Sequence, residues 1–64
     1  MNPFKAMRER SGLKQISVAE ALNVKQTTIS MWETGESKPH ADTLIELAEL
    51  YNCSIDELLG RNTA

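Results

Sequence analysis

A chain of 64 residues buries only about 60% of its unfolded surface, enough for one small core and no second lobe to close a catalytic cleft. With 41% apolar residues, 25% charged residues, a single cysteine and no apolar run near ~20 residues, the composition points to a soluble, globular, cytoplasmic domain and excludes a membrane span and an internal disulfide. The net charge of −2 hides an asymmetry: residues 1–40 carry a net +2 and residues 41–64 a net −4, so the first part is mildly basic and the remainder acidic.

The periodicity predicts an all-α chain of five helices. The first runs from about Pro3 to Arg10, with proline in the first turn, Phe4 and Met7 on one face, and Ser11-Gly12 as the stop. The second runs from about Gln15 to Leu22 and turns Val18, Ala19 and Leu22 inward. The third runs from about Gln26 to Thr34, with Ile29 and Trp32 inward and Gly35 beyond its end. After a loop through Lys38-Pro39, the fourth runs from about Ala41 to Asn52, with Leu44, Leu47, Ala48 and Tyr51 spaced i, i+3, i+4, i+7. The fifth is short: Ser54 to Glu57 forms a capping box and Leu58-Leu59-Gly60 closes it. Residues 1–64 make one domain, and 61–64 are expected to fray.

The second and third helices are joined by a three-residue turn, Asn23-Val24-Lys25, which is the plan of a helix-turn-helix over about residues 15–34. Small Ala19 allows a neighbouring helix close approach. Asn23 comes where the chain needs a left-handed residue, a conformation Asn tolerates better than most. Ile29, six residues on, points back to the core.

Taken together, FKAMRERSGLKQ, VAEALNV, TISMWETG, KP, TLIELAELY and SIDELLG resemble, in order and spacing, the phage repressor/Cro-type helix-turn-helix family, also called XRE-like. The resemblance covers about residues 4–60. It implies a compact five-helix repressor-like domain that binds operator DNA with its third helix in the major groove. It also implies a homodimer on a two-fold symmetric site.

Helical phase then divides the third helix. Opposite Ile29 and Trp32 lie Gln26, Thr27, Ser30 and Met31, the candidates for base contact. Gln26 can pair with both edge atoms of adenine, Thr27 can bond a base or touch a thymine methyl, and Met31 can make only apolar contact. Solvated helix surface is the bland alternative for all four. Gln15, Lys25, Thr28, Thr34 and Lys38 are candidates for the DNA backbone. For Gln15 and Lys38 the assignment follows from the resemblance, which implies a backbone or outer-base contact for Gln15 and a backbone contact for Lys38, and the free N–H groups at the start of the second helix also suit an anion. The resemblance further implies an ion pair between Arg8 and Glu33, tying the first helix to the third.

Lys14 and Lys25 stand where many relatives have Ser or Thr as N-caps, a departure that costs about 1 kcal/mol per missing cap unless a phosphate approaches. Leu50, Ile55, Leu58 and Leu59 are the expected dimer contacts, with closure of the core as the alternative. His40 and Cys53 lack the partners of a metal site, and Asp42, Glu46 and Glu49 read as a solvated face. No catalytic set, cofactor, metal or small-molecule site is expected. Two functions remain: a sequence-specific DNA-binding transcriptional regulator, expected to be a repressor, and an antitoxin-like protein-interaction module with secondary DNA binding. Ile16, Leu50 and the Ile55/Leu58/Leu59 end would carry the second.

Overall fold

Helix ends set the path of this chain. A computed structural model describes residues 3–60, so the expected fraying of 61–64 lies outside the described residues. The elements are α1 (Pro3–Arg10), α2 (Gln15–Leu22), α3 (Gln26–Thr34), α4 (Ala41–Leu50) and α5 (Ile55–Leu58), and no strand occurs among the described residues. After α2, Asn23 takes up φ 57° and ψ 47°. Its N–H donates to Glu20 O and that of Val24 to Ala19 O, at 3.3 and 2.9 Å, so the last carbonyls of α2 are used and the chain reverses. Gly35 ends α3 in the same left-handed region, at φ 86°.

The end of α4 differs from the expected one. The helix stops at Leu50 rather than Asn52, because Asn52 itself is the left-handed residue, with φ 52°. Cys53 N–H then donates to Ala48 O at 2.9 Å, the bond that closes such a turn. Asn was readable as a stop residue here, as at Asn23, but the i, i+3, i+4, i+7 pattern from Leu44 to Tyr51 carried the expected helix to Asn52.

The core gathers Val18 and Ala19 from α2, Ile29 and Trp32 from α3, Leu47 and Ala48 from α4, then Tyr51 and Leu58. Phe4, Met7, Leu13, Leu22, Val24, Leu44, Leu50 and Cys53 pack half-buried around it. The inward faces expected for the second, third and fourth helices are therefore present. Leu58, expected at a dimer interface, is instead fully buried at 0% exposure. The capping box that starts α5, with Ser54 Oγ accepting from Glu57 N–H and Glu57 Oε1 accepting from Ser54 N–H, both at 3.0 Å, fixes the helix so that Leu58 enters the core.

Tyr51 is 2% exposed. Burial, reinforced by the charge of Glu33 and opposed by that of Arg8, pushes its hydroxyl up from 10.0 to about 12. The folded value lies above the unfolded one, so the stability linked to the neutral phenol is complete below pH ~10 and is lost as pH rises towards 12. Tyr51 is the only tyrosine, so a phenolate absorbance titration should show one midpoint near 12, falling to ~10 in denaturant. A native midpoint near 10 would contradict this burial. Burial likewise pushes the Cys53 thiol up, away from the reactive thiolate.

Candidate nucleic-acid interface

Helix α3 is held on one side only. Ile29, Trp32 and Glu33 are buried, which leaves its other side and its N-terminal turn to solvent. Gln26 and Thr27 are exposed, whereas Ser30 and Met31 are half-buried. Buried Trp32 is a core residue and offers no stacking surface.

Of the candidates for the DNA backbone, Lys25 and Lys38 are exposed and Gln15 and Thr28 are half-buried. Thr34 is exposed, but its hydroxyl lies 3.2 Å from Met31 O and 3.1 Å from Glu36 Oε1. A hydroxyl has one proton, and phosphate needs a donor, so this local bonding favours the two lysines over Thr34. No side chain caps the N-terminus of α2 or α3, where Lys14 and Lys25 occupy the capping positions in extended conformation. Two helix N-termini thus meet solvent with uncapped N–H groups and a lysine beside each, a setting that favours anions.

Beneath this surface lies the ion pair. Arg8 Nε and Nη2 donate to Glu33 Oε2 and Oε1 at 2.6 and 3.1 Å, and Nη1 donates to Leu13 O at 2.9 Å. The two side chains are 12% and 5% exposed, so the pair is shielded, and its hydrogen bonds push the Arg8 guanidinium above its usual range. Three elements meet at this point: α1, the loop after it, and α3.

Two further bonds were not anticipated from the sequence. Gln15 Nε2 donates to Glu33 Oε1 at 3.0 Å, and Gln26 Nε2 lies 3.4 Å from Gln15 Oε1. The available signal was that Gln15 and Gln26 are each the first residue of a helix in a helix-turn-helix, which brings those positions side by side.

The expected interface residues divide. Ile55 and Leu59 are 37% and 41% exposed, Leu50 is half-buried, and Leu58 is enclosed. Leu59 borders an apolar cleft of about 210 Å³ with Pro3, Phe4, Pro39 and Leu44, whereas Leu50 borders a separate, open and partly acidic hollow with Ala21, Leu22, Glu46 and Glu49. His40 is exposed at the start of α4, and among the described residues no cluster of His, Cys, Asp and Glu could hold a metal ion. No helix among them is long and apolar enough to cross a membrane.

This architecture has counterparts among known proteins. A helix-turn-helix family profile matches residues 4–58. The transcriptional regulator ImmR of Bacillus subtilis is 40% identical over 59 residues, covering 92% of this chain and 46% of that protein. Repressor protein C2 of Salmonella phage P22 is 31% identical over 56 residues, 88% of this chain and 26% of the repressor. The crystal structure of a transcriptional regulator from Listeria innocua superposes with a TM-score of 0.82 at 37% identity, covering 97% of this chain and 58% of that one. The chain thus spans about half or less of the length of these curated relatives. With its left-handed Asn23, its α2–α3 turn and a third helix buried on one side only, the chain belongs to the repressor-type, XRE-like helix-turn-helix family.

Proposed function

We propose that this domain is a sequence-specific double-stranded DNA-binding regulator of transcription that represses by occupying its operator and reads the major groove with α3. The observation that carries this reading is the one-sided burial of α3. Ile29, Trp32 and Glu33 are locked into the core, so Gln26 and Thr27 are the side chains its N-terminal turn presents. Gln26 reads an adenine edge, Thr27, Ser30 and Met31 complete the base contacts, and Lys25 and Lys38 meet phosphates on either side.

Gln26→Ala tests this. Loss of a bidentate pair is expected to cost ~1–3 kcal/mol at one base position and to leave the salt slope unchanged. Lys38→Ala is expected to weaken all sequences alike and to flatten the slope by about 1. Binding isotherms on single-base operator variants at several salt concentrations separate the two. If Gln26→Ala weakens every sequence equally, Gln26 does not read a base.

We further propose a homodimer that uses Ile55 and Leu59, with Leu58 behind them in the core. Helix-turn-helix dimers place their recognition helices about 34 Å apart, one DNA turn, and a domain of 33 × 22 × 22 Å suits two copies at that spacing. A single domain offers few base contacts, so the second copy supplies the missing affinity. Sedimentation of the free chain and of its complex with a palindromic site measures this directly, and monomer in both rejects it. Of the residues expected to carry the antitoxin-like reading, Ile16, Ile55 and Leu59 are exposed, Leu50 is half-buried and Leu58 is enclosed, and the structure adds exposed Ile45. Competition with random genomic DNA distinguishes that reading, because a regulator must bind its own site well above that background.

A further inference from the structure

We propose that Glu36 is a specificity-determining residue: its carboxylate, anchored by Thr34 at the C-terminal end of α3, penalises docking on phosphates alone. This rests on the reading of α3 as the helix that enters the major groove. Thr34 continues the outward stripe of that helix, since Thr27, Ser30, Met31 and Thr34 are spaced i, i+3, i+4, i+7. Gly35 then turns left-handed, and Glu36 N–H donates back to Met31 O at 3.0 Å. Glu36 is therefore folded over the end of α3 and is exposed there. The Thr34 hydroxyl has one proton and two acceptors within reach, Met31 O at 3.2 Å and Glu36 Oε1 at 3.1 Å. The charged acceptor makes the stronger bond, so the proton goes to Glu36.

What this end of α3 offers to solvent is then a carboxylate, the lone pairs of a hydroxyl and the negative pole of the helix, with no cation in its last turn. The opposite end carries uncapped N–H groups and Lys25. The two ends differ in sign and stand ~13 Å apart, in a groove ~12 Å wide that is walled by phosphates. Attraction to phosphate supplies essentially all of non-specific binding, and here it acts through Lys25 and Lys38. Glu36 precedes Lys38 by two residues, at most ~7 Å of chain, which is less than the ~8 Å Debye length at physiological salt. Its charge therefore offsets part of the attraction between Lys38 and the backbone. At the operator, base contacts fix α3 by its N-terminal turn, and that one position sets the repulsion. On random sequence no base contact fixes α3, and the domain settles where its cations come closest to phosphate. Those are the positions that press Glu36 closest as well, so the penalty is larger there.

The test measures affinity for the site that the wild-type chain selects from a randomised DNA pool, and for a random-sequence duplex, at several salt concentrations. Glu36→Gln keeps an acceptor for the Thr34 hydroxyl and removes the charge. It is expected to bind the random duplex about three- to tenfold more tightly, with a salt slope steeper by up to about 1, and the selected site no more than about twofold more tightly. The ratio of the two affinities falls accordingly. Thr34→Val frees the carboxylate, should lose part of the same ratio, and should add nothing in a Glu36→Gln background. Glu49→Gln removes one negative charge from the exposed side of α4 instead and is expected to change neither affinity. All three positions are exposed, so each variant should melt within a few degrees of wild type. No gain on the random duplex in Glu36→Gln, an equal gain on both DNAs, or the same gain in Glu49→Gln would overturn the proposal, as would a wild-type ratio in Thr34→Val. A loss confined to one base pair of the selected site would make Glu36 a base contact, a carboxylate accepting from cytosine N4, and overturn it too. A wild-type chain that selects no site overturns the proposed function itself, a result distinct from all of these.

Discussion

Glu33→Ala is expected to cost about 3–5 kcal/mol of stability, because it leaves the Arg8 guanidinium shielded from water with its main partner gone. A domain of 64 residues has roughly 3–10 kcal/mol in all, so the variant should sit at or near the edge of unfolding at room temperature. Arg8→Ala should do nearly the same from the other side, stranding a carboxylate that keeps only the Gln15 bond. The physical source of the loss is desolvation, not the attraction of the pair. Replacing both members with apolar residues, Arg8→Met/Glu33→Leu, should therefore recover most of the stability, since a buried ion pair and a well-packed apolar pair differ little in net free energy. Thermal melting followed by circular dichroism measures all three, and a loss of ~3 kcal/mol lowers the midpoint by more than ~10 °C at this size. Melting of both single variants within a few degrees of wild type would show that the pair acts as two surface charges, which contribute about 0–1 kcal/mol.

Leu58→Ala against Leu59→Ala is the second large expectation. The residues are adjacent, yet Leu58 is fully enclosed and Leu59 is 41% exposed. Truncating Leu58 removes buried methyl groups and opens a cavity in the core it shares with Leu47 and Tyr51, and is expected to cost about 2–5 kcal/mol, as such changes do on the order of magnitude known for cores. Leu59→Ala should cost less than ~1 kcal/mol in the monomer, since half of the side chain already meets water. Its effect is expected in self-association: a weaker dimer by sedimentation with a melting midpoint that has hardly moved at low protein concentration. Equal destabilisation by the two changes would mean that the α5 end is packed differently.

The helices of this chain were legible because their signals are local. Apolar spacing placed Val18 and Ala19, Ile29 and Trp32, and Leu47 and Ala48 on inward faces, and the backbone preferences of Asn23 and Gly35 marked two helix ends. The same locality misplaced the end of α4: the apolar spacing runs through Tyr51 and carried the expected helix to Asn52, although the helix stops at Leu50 and the backbone is left-handed at Asn52. The pairing of Arg8 with Glu33 was legible only through family resemblance, since nothing in the spacing of two charges 25 residues apart demands that they meet.

By itself, then, the sequence determined the number and order of helices, the α2–α3 turn and the family. These depend on residues within about one or two turns of each other, where spacing and backbone preference act directly. The tertiary structure alone decided that Leu58 is core while Leu59 is surface, that the Thr34 hydroxyl is already engaged, and that Glu33, Gln15 and Gln26 form one directed chain. Each of those outcomes depends on which helix ends are brought together and how much water remains between them. A hydrogen-bond donor chooses among the acceptors within ~3 Å of it, and only the packed chain determines which ones those are.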